Sequence, residues 1–151
     1  MNLRDLPLGN LIVRDGIARA ADVRDALVEA QDTDRRLGEV MLARGWIRER
    51  DLARLLAEQE GLEFVDLGKY DVEEKAIDCL PEALARQVGA VAFRFQGQAL
   101  CVAISDPTDD RGLDAVRNAV SRRVRFVVAT ASEIEAAQRD AYGEPLVTPA
   151  A

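Results

Sequence analysis

Histidine is absent from this chain. That removes imidazole general bases, Ser-His-Asp and Cys-His catalysis, and zinc sites built on histidine. There are two cysteines, Cys79 and Cys101, without CxxC spacing. They are expected as reduced thiols, not as a disulfide framework or metal knuckle. No GxxxxGK[ST] phosphate loop occurs, so ATP hydrolysis by that mechanism is excluded. No apolar run approaches the roughly 20 residues of a membrane span. The start, Met1-Asn2-Leu3-Arg4-Asp5, lacks the basic-then-apolar order of a secretory signal. A cytoplasmic chain is therefore expected. Asp109-Asp110 has no third carboxylate at EF-hand spacing, so no metal is expected. With no nucleophile beside a base, the chain reads as non-enzymatic.

What is present is globular. The 151 residues are 48% apolar and 31% charged, the balance of one domain or two small ones sharing a core. The net charge of −7 opposes binding to a nucleic-acid polymer. Residues 1–60 are near balance, with ten basic against twelve acidic side chains. Every basic residue there is Arg, the better fork for phosphate or guanine.

A phrase occurs twice in this first part. Leu8-Gly9 is followed by Gly16, and Leu37-Gly38 by Gly45, an offset of 29 residues. At that offset Val23 meets Leu52, Leu27 meets Leu56 and Glu29 meets Glu58. Each copy reads as apolar helix, glycine stop, polar turn and second amphipathic helix. Helices are expected near 8–14, 20–31, 36–44 and 48–60, with Gly16 and Gly45 as C′ glycines. One such unit cannot bury its apolar face alone, so the copies pack on each other and leave a seam.

Near Gly61 the period changes from helical to alternating. A short strand is expected at 62–67, and a helix start at Asp71 with Glu74. A further short helix should begin at Leu80-Pro81. The apolar runs 90–95 and 99–105 flank Gln96-Gly97-Gln98, a hairpin signal. Asp106-Pro107-Thr108-Asp109 should break the second strand and cap a helix running to Val120. A third strand is expected at 124–129. Thr130 with Glu133 reads as the capping box of a last helix to Tyr142. The expected fold is α+β. Two tandem helical hairpins occupy residues 1–61. A small α/β sandwich with a three- to four-stranded sheet occupies 62–143, and residues 144–151 form a linker or tail.

Arg36-Leu37-Gly38-Glu39, Gly45-Trp46-Ile47, Leu52, Leu55-Leu56 and Gln59 form an ordered series. Gly61-Leu62, Phe64-Val65-Asp66-Leu67, Leu80-Pro81, Val102-Ala103-Ile104-Ser105-Asp106-Pro107 and Tyr142-Gly143 continue it. Over residues 8–143 this series resembles the N-terminal domain of type II secretion and type IV pilus assembly ATPases, MshEN-like members included. The resemblance implies regulation and docking rather than turnover. In the family this domain precedes an ATPase motor, or is appended to glycosyltransferases of phage adsorption and exopolysaccharide export. Some members bind cyclic di-GMP across the tandem motifs; others dock on an inner-membrane partner.

Two readings follow. The first is a docking domain at the cytoplasmic face of an inner-membrane secretion, pilus or polysaccharide assembly, peripheral to the membrane through its partner and without a cofactor. The alternative is a cyclic di-GMP sensor. Its ligand residues would be Leu8, Gly9, Gln31, Arg36, Leu37, Gly38, Leu56, Gln59 and Asp106. A guanidinium can fork onto guanine O6/N7 or a phosphate, a Gln amide can read a guanine edge, and leucines supply apolar area. The first copy departs from the pattern. Pro7 stands where an Arg should precede Leu8-Gly9, and Gln31 comes one position late. Each change removes or misplaces a polar contact, about tenfold to a hundredfold in affinity.

Arg36 is the residue least explained by packing. Read as an exposed helix Arg, its removal should leave stability almost unchanged. Gly9 and Gly38 can equally serve close helix contacts. Docking candidates are Trp46, the sole tryptophan, as a partner anchor or core residue, and the basic run Arg122, Arg123 and Arg125, suited to an acidic partner.

Overall fold

The computed structural model describes residues 5–144. Residues 1–4 of the expected helical part, and the expected tail beyond 144, lie outside the described residues. Four helices come first: α1 (Leu6–Arg14), α2 (Ala20–Thr33), α3 (Leu37–Ala43) and α4 (Glu49–Glu60). Pro7 sits in the first turn of α1, where its missing N–H costs nothing. Glu49 and Asp51 occupy the first turn of α4, at the positive end of its dipole. Gly16 and Gly45 have φ of 68° and 70°. That left-handed conformation closes each first helix, as the repeat predicts.

The repeat is expressed physically. A Cβ on Gly9 would meet Val23 Cγ1 at 3.2 Å, and one on Gly38 would meet Leu52 Cδ1 at 3.0 Å. Gly9 and Gly38 are equivalent positions, and so are Val23 and Leu52. Each glycine is where the first helix of a copy touches its second. Polar contacts then run reciprocally between copies. Arg14 of the first copy holds Glu58 of the second through bonds of 2.8 and 2.9 Å. Arg44 of the second holds Glu29 of the first, its Nε donating at 3.2 Å. Leu8, Ile12, Val23, Ala26, Leu37, Val40, Met41 and Leu52 form the shared core.

The second part contains α5 (Glu74–Ile77), α6 (Glu82–Val88), β1 (Ala90–Gln96), β2 (Ala99–Ile104), α7 (Asp110–Ala119), β3 (Val124–Val128) and α8 (Ala131–Tyr142). The sheet order is β1-β2-β3. β1 and β2 pair antiparallel around Gly97-Gln98, and β2 and β3 pair parallel through the α7 crossover. Alternation covers both faces. Ala90, Ala92, Leu100, Val102, Ile104 and Phe126 pack with Leu113 and Val116 of α7. Val91, Phe93, Cys101, Ala103 and Val127 pack with Ile134 of α8. Burial pushes the Cys101 thiol pKa up.

Several local expectations are corrected. Residues 62–67 are not a strand. One parallel bridge joins Phe64 to Val128, with Val65 N–H donating to Val128 O at 2.8 Å. The Glu133 carboxylate then accepts the Leu67 N–H at 2.6 Å, and the chain turns into a 3₁₀ helix at Leu67–Lys69. That bond also halves the expected capping box. Thr130 Oγ1 accepts the Glu133 N–H at 3.2 Å, but Glu133 does not return to the cap. Helix α5 begins after Glu73, not at Asp71, because Glu73 is pinned to β1. Its N–H donates to Phe93 O at 2.8 Å, and its carboxylate accepts the Phe95 N–H at 2.7 Å. The N-cap of α7 is Asp109, not Asp106.

The two parts join along α4 and β3. Ala53, Ala57 and Val128 are buried together, flanked by Leu62 and Phe64. Arg50 and Arg54 lie 5.3 and 5.6 Å from the Phe64 ring centre. Glu49 accepts both the N–H and the Oγ–H of Ser132, at 2.7 and 2.8 Å.

Candidate functional site

A cavity of about 440 Å³ opens where the second repeat copy meets the sheet, within the size range of small-molecule sites. One wall is helical: Arg36, Gly38 and Leu42 from the α3 region, and Leu52 and Leu56 from α4, with Leu8 from the first copy. The other wall is the carboxyl end of the parallel strands. Ser105 and Asp106 follow β2, and Ala129, Thr130 and Ala131 follow β3. The chain leaves β2 into α7 over one face of the sheet and leaves β3 into α8 over the other, which opens a crevice at the strand ends.

Arg36 does not stand free. Its Nε donates to Asp5 Oδ1 at 2.8 Å and its Nη1 to Thr108 Oγ1 at 3.3 Å. The Asp5 side chain is 2% exposed and that of Arg36 33%. Asp5 Oδ2 also accepts the Leu37 N–H at 3.3 Å. The reading of Arg36 as an exposed, dispensable helix residue is therefore corrected. It neutralises a buried carboxylate, and it ties the repeat to the α7 turn. Sequence inspection missed Asp5; a single acid three residues before Leu8 carries no periodic signal.

Two further carboxylates of the cavity lining are engaged by the chain's own donors. Glu49 holds Ser132 in the first turn of α8. Asp106 Oδ1 accepts from the Thr108 N–H at 3.0 Å and from its Oγ–H at 2.5 Å. With Glu39, four carboxylates and one guanidinium line the cavity.

The structure brings together Leu8, Arg36, Gly38, Leu56 and Asp106. Gly9 is packed against α2 instead, and Leu37 is wholly buried. Gln31 borders a separate recess of about 190 Å³ behind Arg36, with Leu27 and Asp34. Gln59 is half-buried; its Nε2 donates to Glu60 at 2.9 Å, and its Oε1 is buried without a hydrogen-bond partner among the described residues. Neither Gln lines the cavity. Pro7 is exposed in α1, so no second guanidinium faces Arg36 from the equivalent position. Arg36 is the one guanidinium among the described residues that line the cavity.

The docking candidates lie elsewhere. Trp46 is half-buried against the repeat core, with the Arg44 guanidinium 4.7 Å from its ring centre. Arg122 lies 4.6 Å from the Phe95 ring centre. Arg125 bonds Glu63 at 2.8 Å and also contacts Gln96. Arg123 is exposed. The three arginines sit at the start of β3, opposite the end that borders the cavity. No described group of acidic or thiol side chains is arranged to hold a metal ion. No described helix is long and apolar enough to cross a membrane.

Residues 60–148 match the family model of the MshEN domain. The chain is 35% identical over 140 residues to the type IV pilus assembly ATPase PilB of Thermus thermophilus, covering 92% of this chain and 15% of that protein. It is 27% identical over 136 residues to bacteriophage adsorption protein B of Escherichia coli K12, covering 90% of this chain and 18% of that protein. The chain thus spans under a fifth of the length of these two relatives. Among solved structures, MshE with cdg superposes with a TM-score of 0.81 at 32% identity, covering 89% of this chain and 98% of that one. The N-terminal domain of XpsE gives 0.75 at 26%, covering 91% and 94%.

Proposed function

This chain belongs to the MshEN-domain family, and from that membership we propose that it is a non-catalytic docking and regulatory domain. It couples a motor or enzyme to an assembly at the cytoplasmic face of an inner membrane, with Trp46 and the Arg122, Arg123 and Arg125 face contacting the protein partner. The observation that carries docking over sensing is the state of the cavity. Asp5, Glu49 and Asp106 already hold Arg36, Ser132 and Thr108, so an anionic ligand meets four carboxylates and a neutralised Arg36. Catalysis belongs to the motor or enzyme that the domain couples, not to this fold. Calorimetry with cyclic di-GMP at high micromolar protein tests the reading. Docking expects no heat. Sub-micromolar binding that disappears in Arg36→Ala would overturn it. Photo-crosslinking from Arg123 in cells should give a discrete adduct that Arg122→Glu with Arg125→Glu abolishes.

The sensor reading stays second because of one observation. The chain aligns over 98% of MshE with cdg, at 32% identity. In that reading Arg36 is the charged contact, and Gln59, which lies outside the cavity, would have to turn toward it to read a guanine edge. Pro7→Arg should then strengthen binding by supplying the missing guanidinium.

A further inference from the structure

A second depression lies between α8 and the segment from Leu67 to Asp78, with a volume of about 570 Å³. Its floor is apolar: Leu67, Tyr70, Val72 and Ile77 on one side, Ala136 and Ala137 on the other. Val72 is 38% exposed, one of few large apolar side chains left open among the described residues. The alanines keep the α8 wall low, which lets another helix approach closely. The lining of α8 runs from Glu133 to Ala141, about 12 Å at 1.5 Å per residue, or two helical turns.

The rim has one sign of charge. Asp71, Glu74, Asp78 and Asp140 line it and are exposed. None of the four forms an ion pair among the described residues. Of the neighbouring cations, Lys69 and Arg139 lie against Asp66 and Glu144, and Lys75 of α5 does not line the groove. Arg94 lies 5.5 Å from the Tyr70 ring centre but does not line the groove. Glu133 is committed to the Leu67 N–H.

We propose that this groove docks a basic amphipathic helix of a partner protein. Its apolar anchors, at helical spacing, would lie over Val72 and the alanines, and its Lys or Arg side chains would meet the four free carboxylates. The proposal goes beyond the docking reading above. It concerns a separate, acidic surface and a partner of opposite charge to one suited to Arg122–Arg125.

The test uses the whole chain and a labelled peptide of Leu and Lys about 15 residues long, apolar on one face. Fluorescence anisotropy measures affinity at low and physiological salt. Amide shifts in NMR spectra locate the site. Binding should weaken with salt, and shifts should cluster in residues 67–78 and 133–141. Asp71→Lys with Asp140→Lys should reduce affinity at least tenfold while the circular dichroism spectrum is unchanged, since both side chains are exposed. A peptide with Ser in place of Leu should bind at least tenfold more weakly. Equal binding by the Ser peptide, unchanged affinity in the double variant, shifts centred elsewhere, or no binding at low salt would each overturn the proposal. A positive result at Arg123 in the crosslinking experiment leaves this test untouched, because the two surfaces are distinct.

Discussion

The carboxylate of Asp5 holds the Arg36 guanidinium on one oxygen and the Leu37 N–H on the other. Removing Arg36 leaves a buried charge with one backbone donor. Arg36→Ala should therefore destabilise the fold by about 1–3 kcal/mol. In a double-mutant cycle with Asp5→Ala, the coupling energy should exceed about 1 kcal/mol. Chemical denaturation of the four proteins measures it, and a coupling near zero would show that the pair contributes nothing. Gln138 makes a similar case inside the α+β part. Its side chain is 5% exposed, and its Nε2 donates to Ala85 O at 3.0 Å and Ala90 O at 2.9 Å. One amide thus ties the end of α6 to the start of β1 and both to α8. Gln138→Leu should cost about 1–3 kcal/mol, because both carbonyls lose this donor away from water.

Helices α1 and α4 are clamped by Arg14 and Glu58, and α2 is clamped to the end of α3 by Arg44 and Glu29. Bonding to Arg14 holds the Glu58 carboxyl below its ordinary pKa, and bonding to Arg44 does the same for Glu29. A depressed carboxylate pKa contributes stability that is full above the unfolded-state value and is lost as pH falls through the folded-state value. The advantage of the wild type over Arg14→Gln with Arg44→Gln should thus be constant near neutrality. It should shrink once pH drops below about 4, where unfolded Glu takes up its proton. Thermal melts from pH 7 to pH 3 follow that difference. Added salt should shrink it too, since both pairs are exposed. In α7, a Cβ on Gly112 would stand 2.3 Å from Asp109 Oδ2 and 3.0 Å from Val88 Cγ1. Asp109 caps this helix by accepting the Gly112 N–H at 3.0 Å. Gly112→Ala should therefore destabilise, although alanine is the better helix former by about 1 kcal/mol. Its effect should be smaller in an Asp109→Ala background, where no cap remains to be displaced.

The repeat and the sheet share a buried contact at Ala53, Ala57 and Val128 and a polar one at Glu49 and Ser132. Two halves joined this way should unfold together. The spectroscopic reporters are already separated: Trp46 lies in the repeat, and Tyr70 and Tyr142 lie in the α+β part. Trp fluorescence and Tyr absorbance should give coincident thermal transitions in the wild type. Ala57→Glu places a charge in the joint and should split or shift them relative to each other. Coincident, unshifted transitions in that variant would show that the joint carries no coupling.

Composition and periodicity alone determined much of this molecule. Its four helices came from apolar spacing at three and four, and its glycine stops from the offset between copies. The β1-β2 hairpin came from two apolar runs around Gln96-Gly97-Gln98, and the crossover from a strand-helix-strand order. These depend on neighbours in sequence, so local pattern suffices. The expected strand at 62–67 is reduced to one bridge at Phe64, beyond which Glu133, far along the chain, takes the Leu67 N–H, and the start of α5 moved because Glu73 bonds β1. The site was legible only in part. Arg36, Gly38, Leu56 and Asp106 were marked by motif and do converge on one cavity. Nothing in the sequence pattern marked Asp5 or Glu49, nor that Gln31 and Gln59 face away from it. A carboxylate's partner is chosen by which donors folding brings within 3 Å, and that distance exists only in the tertiary structure.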